Sequence, residues 1–202
     1  MRKLSEKKIV LASHNKGKLR EIKALLEPFG IGCVSAAELN LAEPEETEAT
    51  FAGNARIKAH FAANASGLPA LSDDSGISVD ALGGEPGVYT ADWAETENGR
   101  DFNLAMTKVW KKLETAKAPF PRSAHFNCTL CLAWPDGHDE VFSGIASGEV
   151  VWPMRGEHGF GFDPIFQPTG YDLTFAEMQP KEKEPLTHRA NAFHKLVTYC
   201  FE

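Results

Sequence analysis

Long apolar runs are missing from this sequence, and none approaches the ~20 residues that a membrane-spanning helix requires. The N-terminal segment 1–8 is rich in charge. The apolar stretch that follows it, Ile9–Ala12, is far shorter than the core of about 7–15 residues in a secretory signal. We therefore expect no association with a membrane, no export, and a location in the cytoplasm.

Cysteine is scarce as well, with 4 among 202 residues, too few for a disulfide scaffold. We expect reduced thiols. Cys128 and Cys131 form a CxxC pair, but they lie three apart on a predicted strand and therefore face opposite sides. This spacing on a strand does not favour a zinc or redox site, which needs a loop or helix start and, for zinc, a second ligand pair.

The chain also lacks an excess of positive charge. Lys and Arg number 21 against 28 Asp and Glu, which gives a formal net charge of −7. A nucleic-acid backbone requires a basic face, so we expect no nucleic-acid partner. A small anionic ligand remains compatible, because it needs positive charge only at its own site.

What is present is an ordinary globular composition, with 43% hydrophobic and 24% charged residues. A chain of this length buries about 70% of its unfolded surface. The length suits a single domain over residues 1–202, or a single domain with two lobes.

The first half alternates predicted strands and helices. Lys7–Ala12 reads as a buried strand, Ser13–Gly17 as a polar turn, and the apolar spacing from Leu19 to Phe29 as an amphipathic helix. Further along, the sequence predicts a strand over Ile31–Ser35 and a helix over Phe51–Ala65. Thr47 or Thr50 would cap the start of that helix, and Gly67 lies just past its end.

The second half adds a hairpin. Leu68–Leu71 is predicted as a short strand that ends before Ser72-Asp73-Asp74-Ser75-Gly76, and residues 102–113 as a helix. Period-2 alternation predicts a strand over Ala124–Trp134, followed by a turn and a strand over Glu140–Ser147. Residues 152–171 read as irregular, and a C-terminal helix has His188 and Arg189 in its first turn. The pattern predicts an α/β fold with a mixed sheet.

The loop between the first strand and helix is a candidate anion site. It consists of Ser13, His14, Asn15, Lys16, Gly17 and Lys18. A helix start offers backbone N–H groups to an anion, and Lys18 adds a point charge. The loop is not a Walker A motif, because Ala12 and Leu19 stand where that motif needs Gly and Ser or Thr. A solvated turn with chance lysines is the alternative.

Carboxylates form a second candidate group, with Glu45, Glu46 and Glu48 on an acidic loop and Asp73-Asp74 after a predicted strand. Mg²⁺ binds one or two protein carboxylates, with water and substrate phosphates as its other ligands. An Asp-Asp step at a strand end would lie at the carboxyl edge of the sheet, where α/β ligand sites form. For the glutamates, the alternative is a helix N-terminus that favours acids.

Three further patterns remain ambiguous on their own. Lys58 lies on a semi-apolar helix and either extends its ammonium to solvent or points at a phosphate. The segment 159–164, GFGFDP, either lets an aromatic ring stack on a flat ligand or is a turn with core phenylalanines. Lys183 and the run Thr187-His188-Arg189 offer several donors near a helix start.

Taken together, these segments resemble the Ham1/RdgB-type inosine triphosphate pyrophosphatase family. The similarity runs over nearly the whole chain. Its motifs are SHNKGK (13–18), EETEATFAGNARIKA (45–59), LPALSDDSGISVDALGGEPGVY (68–89), GFGFDPIF (159–166) and THR (187–189).

The resemblance implies an elongated mixed α/β sheet with flanking helices, two lobes around a central cleft, a homodimer, and dependence on Mg²⁺. It implies hydrolysis of noncanonical purine nucleoside triphosphates (ITP, dITP, XTP) to monophosphate and pyrophosphate, which cleanses the nucleotide pool. Phe162 and Thr187 depart mildly from the family, where tyrosine and serine are common at these positions.

By position, the resemblance implies Asp74 and Lys58 as catalytic residues and Glu46 and Asp74 as metal ligands, with Glu45 as the alternative to Glu46. The implied substrate-binding residues are Ser13, His14, Asn15, Lys16, Gly17, Lys18, Ser75, Phe160, Gly161, Phe162, Asp163, Lys183, His188 and Arg189.

Two other functions stay open at this point. One is a pyrophosphatase for another class of substrate, such as modified pyrimidine nucleotides. The other is a nucleotide-binding regulator without chemistry. The regulator is disfavoured because a protein that only binds nucleotide has no need of a base such as Asp74.

Overall fold

The computed structural model of the chain describes residues 1–201, and its elements confirm a mixed α/β fold. The strands are β1 (Lys8–Leu11), β2 (Gly32–Ser35), β3 (Ala70–Val79), β4 (Glu95–Thr96), β5 (Gly99–Arg100), β6 (Ser123–Ala133), β7 (Asp139–Val150) and β8 (Phe166–Pro168). The helices are α1 (Lys16–Leu26), α2 (Phe51–Ser66), α3 (Phe102–Thr115), α4 (Pro180–Lys183) and α5 (His188–Leu196), and a π-helical turn, Val197–Phe201, follows α5. Within residues 1–201, no helix has both the length and the apolar character to cross a bilayer.

Six strands form one mixed sheet in the order β2-β1-β3-β6-β7-β8. β1 pairs in parallel with both β2 and β3, whereas β8 pairs antiparallel with β7. β6 and β7 are neighbours joined by a tight turn in which Gly137 N–H donates to the Trp134 carbonyl at 3.0 Å, so the predicted hairpin is confirmed. β4 and β5 form a separate two-stranded ribbon that the sequence patterns did not indicate.

The chain divides into two compact units, neither of which is a continuous segment. The first unit consists of residues 1–74, 128–144 and 189–202, and the second of residues 75–127 and 145–188. The single-domain organisation over 1–202 stays a prediction.

Each unit has its own apolar core. In the first unit, Ile9 and Leu11 of β1 pack with α1 and α5 on one side of the sheet, and Val10 packs with α2 on the other. Cys128 belongs to one of these clusters and Cys131 to the other, which confirms that they face opposite sides of β6. In the second unit, α3 packs on β3, β6 and the segment 162–178.

Sequence signals located both ends of α2 correctly. The Thr50 hydroxyl accepts a hydrogen bond from Gly53 N–H at 3.1 Å and caps α2, and Gly67 ends that helix in the left-handed conformation. Asp101 caps α3 by accepting from Asn103 and Leu104 N–H groups.

Strand β3 corrects one expectation. The strand was predicted to stop at Leu71, but it continues through Asp73 and Asp74 to Val79. Ile77 and Val79 are fully buried, so the apolar core extends along the strand on both sides of the acids. Leu11, the last residue of β1, pairs with Leu71, so Asp73 and Asp74 lie just beyond the end of β1 rather than at the end of their own strand.

The charged extension Met1–Glu6, to which the sequence assigned no role, packs on the first unit. Leu4 N–H donates to the Cys200 carbonyl at 2.8 Å, and the Arg2 guanidinium lies 4.5 Å from the centre of the Trp134 ring. These contacts give the extension a structural role.

Candidate active site

The loop between β1 and α1 uses part of its hydrogen-bonding capacity internally. The Asn15 side-chain oxygen caps α1 by accepting from Gly17 N–H at 2.9 Å and Lys18 N–H at 3.1 Å. Ser13 Oγ in turn accepts from Asn15 N–H at 3.2 Å. A phosphate group would therefore have to replace Asn15 Oδ1 to reach the Gly17 and Lys18 amides, whereas the exposed Lys16 side chain is free to meet it directly.

His14 connects this loop to the segment that leads into the acidic loop. Its Nε2 lies 3.0 Å from the Leu41 carbonyl oxygen, and since a carbonyl only accepts, Nε2 is the donor. This contact fixes the path of the chain on both sides. A direct role of His14 toward a ligand stays a prediction.

Asp73 is fully buried and pairs with two cations. Lys18 Nζ lies 2.8 Å from Oδ1, and Arg189 Nε donates to Oδ2 at 2.7 Å. Burial alone would raise the pKa of Asp73, but Arg189 and Lys18 outweigh burial and hold this pKa well below its ordinary value. The Cys128 thiol also donates to Oδ2 at 3.2 Å, and burial, together with the Asp73 charge, raises the pKa of this thiol.

Arg189 is held from a second direction by Glu21 of α1, whose carboxylate accepts from Nη1. Burial of Arg189 would lower the pKa of its guanidinium, but Asp73 and Glu21 reverse that effect and raise it. Asp73 and Glu21 thus fix the orientation of a guanidinium that is only 2% exposed.

Lys58 of α2 bridges Glu46 and Asp74. Its Nζ donates to Glu46 Oε1 at 2.6 Å and to Asp74 Oδ1 at 2.8 Å. The lysine side chain is only 7% exposed, so it does not extend to solvent, which was the first of the two sequence interpretations. Burial would lower the pKa of Lys58, but the two carboxylates outweigh burial and raise it.

Asp74 differs from its neighbour in that one oxygen has no partner. Within residues 1–201, Asp74 Oδ2 is buried and accepts no hydrogen bond. Burial raises the pKa of Asp74, and the nearby Lys58 and Lys18 only partly oppose this effect. A carboxylate with an unoccupied lone-pair face and a raised pKa is suited to accept a proton.

Glu46, rather than its neighbour Glu45, reaches this group because the acidic loop is fixed to α2. Asn54 Oδ1 accepts from Glu48 N–H at 2.9 Å. A Cβ atom added at Gly53 would lie 2.5 Å from Glu48 Cβ, so the close approach of loop and helix requires glycine there. The loop position that carries Glu46 is therefore set by two residues at the start of α2.

The residues present fit a single Mg²⁺ ion, provided that most of its ligands come from outside the protein. No group of three or more His, Cys, Asp or Glu side chains within residues 1–201 is arranged to hold a metal. Two carboxylates, Glu46 and Asp74, face one cation, and Asp74 Oδ2 still needs a partner. Mg²⁺ typically takes one or two protein carboxylates and completes its octahedron with water and phosphate, which matches this donor set.

In the second unit, Asp163 organises the segment that was predicted to contact the base. Its Oδ2 accepts from Phe160 N–H at 2.8 Å and from Lys183 Nζ at 2.7 Å. Gly159 has a φ of +76°, and a Cβ atom there would lie 2.0 Å from Asp163 Oδ2, so a side chain at this position would break the arrangement. Lys183 Nζ lies 5.6 Å from the centre of the half-buried Phe160 ring.

The two phenylalanines of this segment differ in environment. Phe162 is 1% exposed and packs edge-to-face on Phe102 at 6.0 Å, so its ring belongs to the core. Phe160 is the ring that remains partly open to a ligand. His188 is also buried and stacks on Phe126, with ring centres 4.9 Å apart.

The structure thus brings together predicted residues within each unit. The first unit joins Lys18, Arg189, Glu46, Lys58 and Asp74 through ion pairs to one another or to Asp73, and the second joins Phe160, Asp163 and Lys183. Ser75 is half-buried on β3, and a contact of Ser75, Gly161 or Phe162 with substrate stays a prediction.

Sequence reasoning missed Glu21, Asn54 and the pairing role of Asp73. Glu21 lies three residues after Lys18 on the same helix, and this spacing places both on one face, which is the signal that would have indicated it.

Comparison with known proteins gives consistent matches over the full length. A sequence model of the Ham1 family matches residues 9–199. A dITP/XTP pyrophosphatase from Ruegeria pomeroyi is 66% identical over 193 residues, which cover 96% of this chain and 95% of that protein. Another from Agrobacterium fabrum is 58% identical over 213 residues and covers 100% of both chains. The solved structure of a HAM1 protein from Coxiella burnetii has a TM-score of 0.86 and 38% identity over 95% of this chain and 96% of that one.

Proposed function

Because the chain belongs to the Ham1 family, we propose that it hydrolyses the noncanonical purine nucleoside triphosphates ITP, dITP and XTP to the monophosphate and pyrophosphate. The relatives from Ruegeria pomeroyi and Agrobacterium fabrum, both named dITP/XTP pyrophosphatase, support the choice of substrate. The observation that carries the proposal is the group formed by Glu46, Lys58 and Asp74, in which a buried carboxylate keeps one oxygen unpartnered among the described residues.

Binding of the triphosphate is proposed for the loop 13–18 and Lys58. A chain with a net charge of −7 must concentrate its cations where a polyphosphate binds. Lys16 is exposed at the start of α1, and Lys18 lies at the same end with 16% of its side chain exposed. These lysines supply local positive charge, and the start of α1 supplies N–H groups.

Asp74 is proposed as the general base. Its Oδ2 takes a proton from the attacking water, and its place in the middle of β3 keeps the carboxylate oriented. A carboxyl with a raised pKa is a stronger base once it is ionised, provided that it is deprotonated at the working pH. Attack at the α-phosphorus makes pyrophosphate the leaving group.

Mg²⁺ is proposed as the metal, with Glu46 and Asp74 as the residues that would hold it. When bound, it would neutralise phosphate charge and lower the pKa of a coordinated water. The proposal rests on Glu46 Oε1 and Asp74 Oδ1, two carboxylate oxygens that already face one cation, Lys58 Nζ.

Recognition of the base is proposed for Phe160, Lys183, His188 and Arg189. Hypoxanthine and xanthine present a 6-oxo acceptor where adenine presents a 6-amino donor. Donors from His188 or Arg189 would leave a buried donor facing the adenine amino group, which costs about 1–3 kcal/mol and disfavours adenine. The Phe160 ring, which is only half-buried, is proposed to stack on the purine.

A homodimer in the cytoplasm is also part of the proposal. The dimer rests on the family to which the chain belongs. The four cysteines are free thiols, in agreement with a reducing compartment.

The test is incubation of the purified chain with ITP, dITP and XTP in Mg²⁺, followed by separation of the products. We expect the monophosphate and pyrophosphate in equal amounts. Orthophosphate and a diphosphate would reject the cleaved bond that we propose. Modified pyrimidine nucleotides in the same panel test the other substrate class, and tight nucleotide binding without turnover would indicate a regulator.

A further inference from the structure

An ammonium group occupies the position between the two carboxylates proposed for the metal. Lys58 Nζ lies 2.6 Å from Glu46 Oε1 and 2.8 Å from Asp74 Oδ1. The side chains of Lys58 and Asp74 are each only 7% exposed, so water screens their contact poorly.

The carboxylates cannot easily move away from this lysine. Asp74 lies in the middle of β3, and the loop that carries Glu46 is fixed to α2 through Asn54 and the close contact at Gly53. A divalent cation that binds the same oxygens must therefore remove the ammonium from at least one of them, because two cations at one pair of oxygens would repel each other strongly.

We propose that Lys58 is an internal counter-ion, which a divalent cation displaces from Glu46 and Asp74 and which then becomes available to an anionic ligand. The identity of that ligand as a nucleotide phosphate rests on the proposed function, whereas the competition itself does not. As a consequence, divalent cations bind weakly to the nucleotide-free protein, and cation and polyphosphate bind with positive coupling.

The alternative is that Lys58 assists the metal by holding the two carboxylates together. Removal of the lysine would then separate Glu46 from Asp74 and weaken the binding of a cation. The two possibilities predict opposite changes in affinity for the same substitution.

The test is calorimetric titration of Mn²⁺ into the full chain without nucleotide, for wild type, Lys58→Met and Arg56→Met. Removal of a charge-assisted hydrogen bond that competes for the same oxygens should tighten Mn²⁺ binding by about tenfold or more in Lys58→Met. Arg56→Met is the matched control, because it removes one positive charge from the same helix at a residue that pairs with Asp139 instead. Its affinity for Mn²⁺ should stay at the wild-type value.

Unchanged or weaker Mn²⁺ binding in a folded Lys58→Met variant would overturn the proposal. If Lys58→Met does not fold, Lys58→Gln keeps a hydrogen-bond donor without the charge and should show the same tightening. Mn²⁺ should also raise the thermal midpoint of Lys58→Met more than that of wild type. The Mn²⁺ titration contains no nucleotide, so its outcome does not depend on the substrate. A separate assay in which dITP and XTP are not cleaved would reject the proposed function without affecting the titration result.

Discussion

Asp73 and Asp74 are adjacent aspartates on opposite faces of strand β3, and their environments differ. On one face, both oxygens of Asp73 bind cations, from Lys18 and Arg189, and its pKa is lowered. On the other, Asp74 has one oxygen on Lys58 and one without a partner among residues 1–201, and burial raises its pKa. Successive residues of a strand point to opposite faces, so adjacent acids can have separate tasks. Asp73 pairs with the cations of the site, whereas Asp74 keeps one oxygen open, and this difference is why we propose Asp74 as the base.

The largest expected effect separates these tasks through activity. Asp74→Asn keeps the shape of the side chain but removes the base, so we expect kcat for dITP to fall by about 10²–10⁴-fold. Binding of dITP, measured by calorimetry, should persist. Activity near the wild-type level would show that another group is the base.

For stability, we expect the larger loss in Asp73→Asn and the smaller loss in Asp74→Asn. Asp73→Asn removes the charge that pairs with Lys18 and with the buried Arg189, and loss of one partner of a buried pair costs about 3–5 kcal/mol. Denaturant unfolding should show a smaller loss for Asp74→Asn, whose charged form burial already disfavours. Equal losses for the two variants would remove the distinction between the two faces.

Asp73 and Asp74 should change the stability of the protein in opposite directions as the pH rises. Folding lowers the pKa of Asp73 below 3.8, the ordinary value for an aspartate. The contribution of Asp73 to the free energy of unfolding is therefore present above pH 3.8 and is lost as the pH falls toward its pKa in the folded state. Folding raises the pKa of Asp74 above 3.8, so near this pH the folded state binds more protons than the unfolded state. The contribution of Asp74 to the free energy of unfolding therefore falls as the pH rises from 3.8 through its pKa in the folded state.

Unfolding curves without divalent cations, from about pH 3 to neutral, should therefore change in opposite directions in the two variants. Relative to wild type, stability should rise less with pH in Asp73→Asn and more in Asp74→Asn. If both variants changed the slope of stability against pH in the same direction, the opposite pKa shifts assigned to Asp73 and Asp74 would be wrong.

The smallest effect concerns Glu21, which supports the Asp73 face from α1. Glu21→Gln weakens one of the two carboxylate contacts of Arg189, and we expect a loss of about 1 kcal/mol in unfolding free energy and a higher KM for dITP. Glu27→Gln, at the exposed residue that directly follows α1, is the control and should change neither quantity. A fall in kcat with unchanged KM would place Glu21 elsewhere in the mechanism.

Much of the fold was predictable because local signals agree with the final structure. Periodicity and turn residues predicted three features: the strand–loop–helix order at the start of the chain, both ends of α2 at Thr50 and Gly67, and the β6–β7 hairpin. β8 and the β4–β5 ribbon were missed because strands of two or three residues carry no readable period.

The continuation of β3 and the ion pairs depend on contacts that sequence spacing does not contain. Polar residues ordinarily end a buried strand, but Asp73 stays inside β3 because Lys18 and Arg189, which lie 55 and 116 residues away, neutralise it. In the same way, the burial of Lys58 is acceptable only because Glu46 and Asp74 both reach it. The residue types of the candidate site could therefore be predicted from the sequence, whereas their pairing required the fold.

The most direct measurement of the central claim is hydrolysis of dITP in ¹⁸O-labelled water with Mg²⁺, followed by mass spectrometry of both products. If Asp74 activates a water for attack at the α-phosphorus, one labelled oxygen appears in dIMP, none appears in pyrophosphate, and Asp74→Asn forms neither product at a comparable rate. Label in pyrophosphate, or release of orthophosphate, would contradict the account.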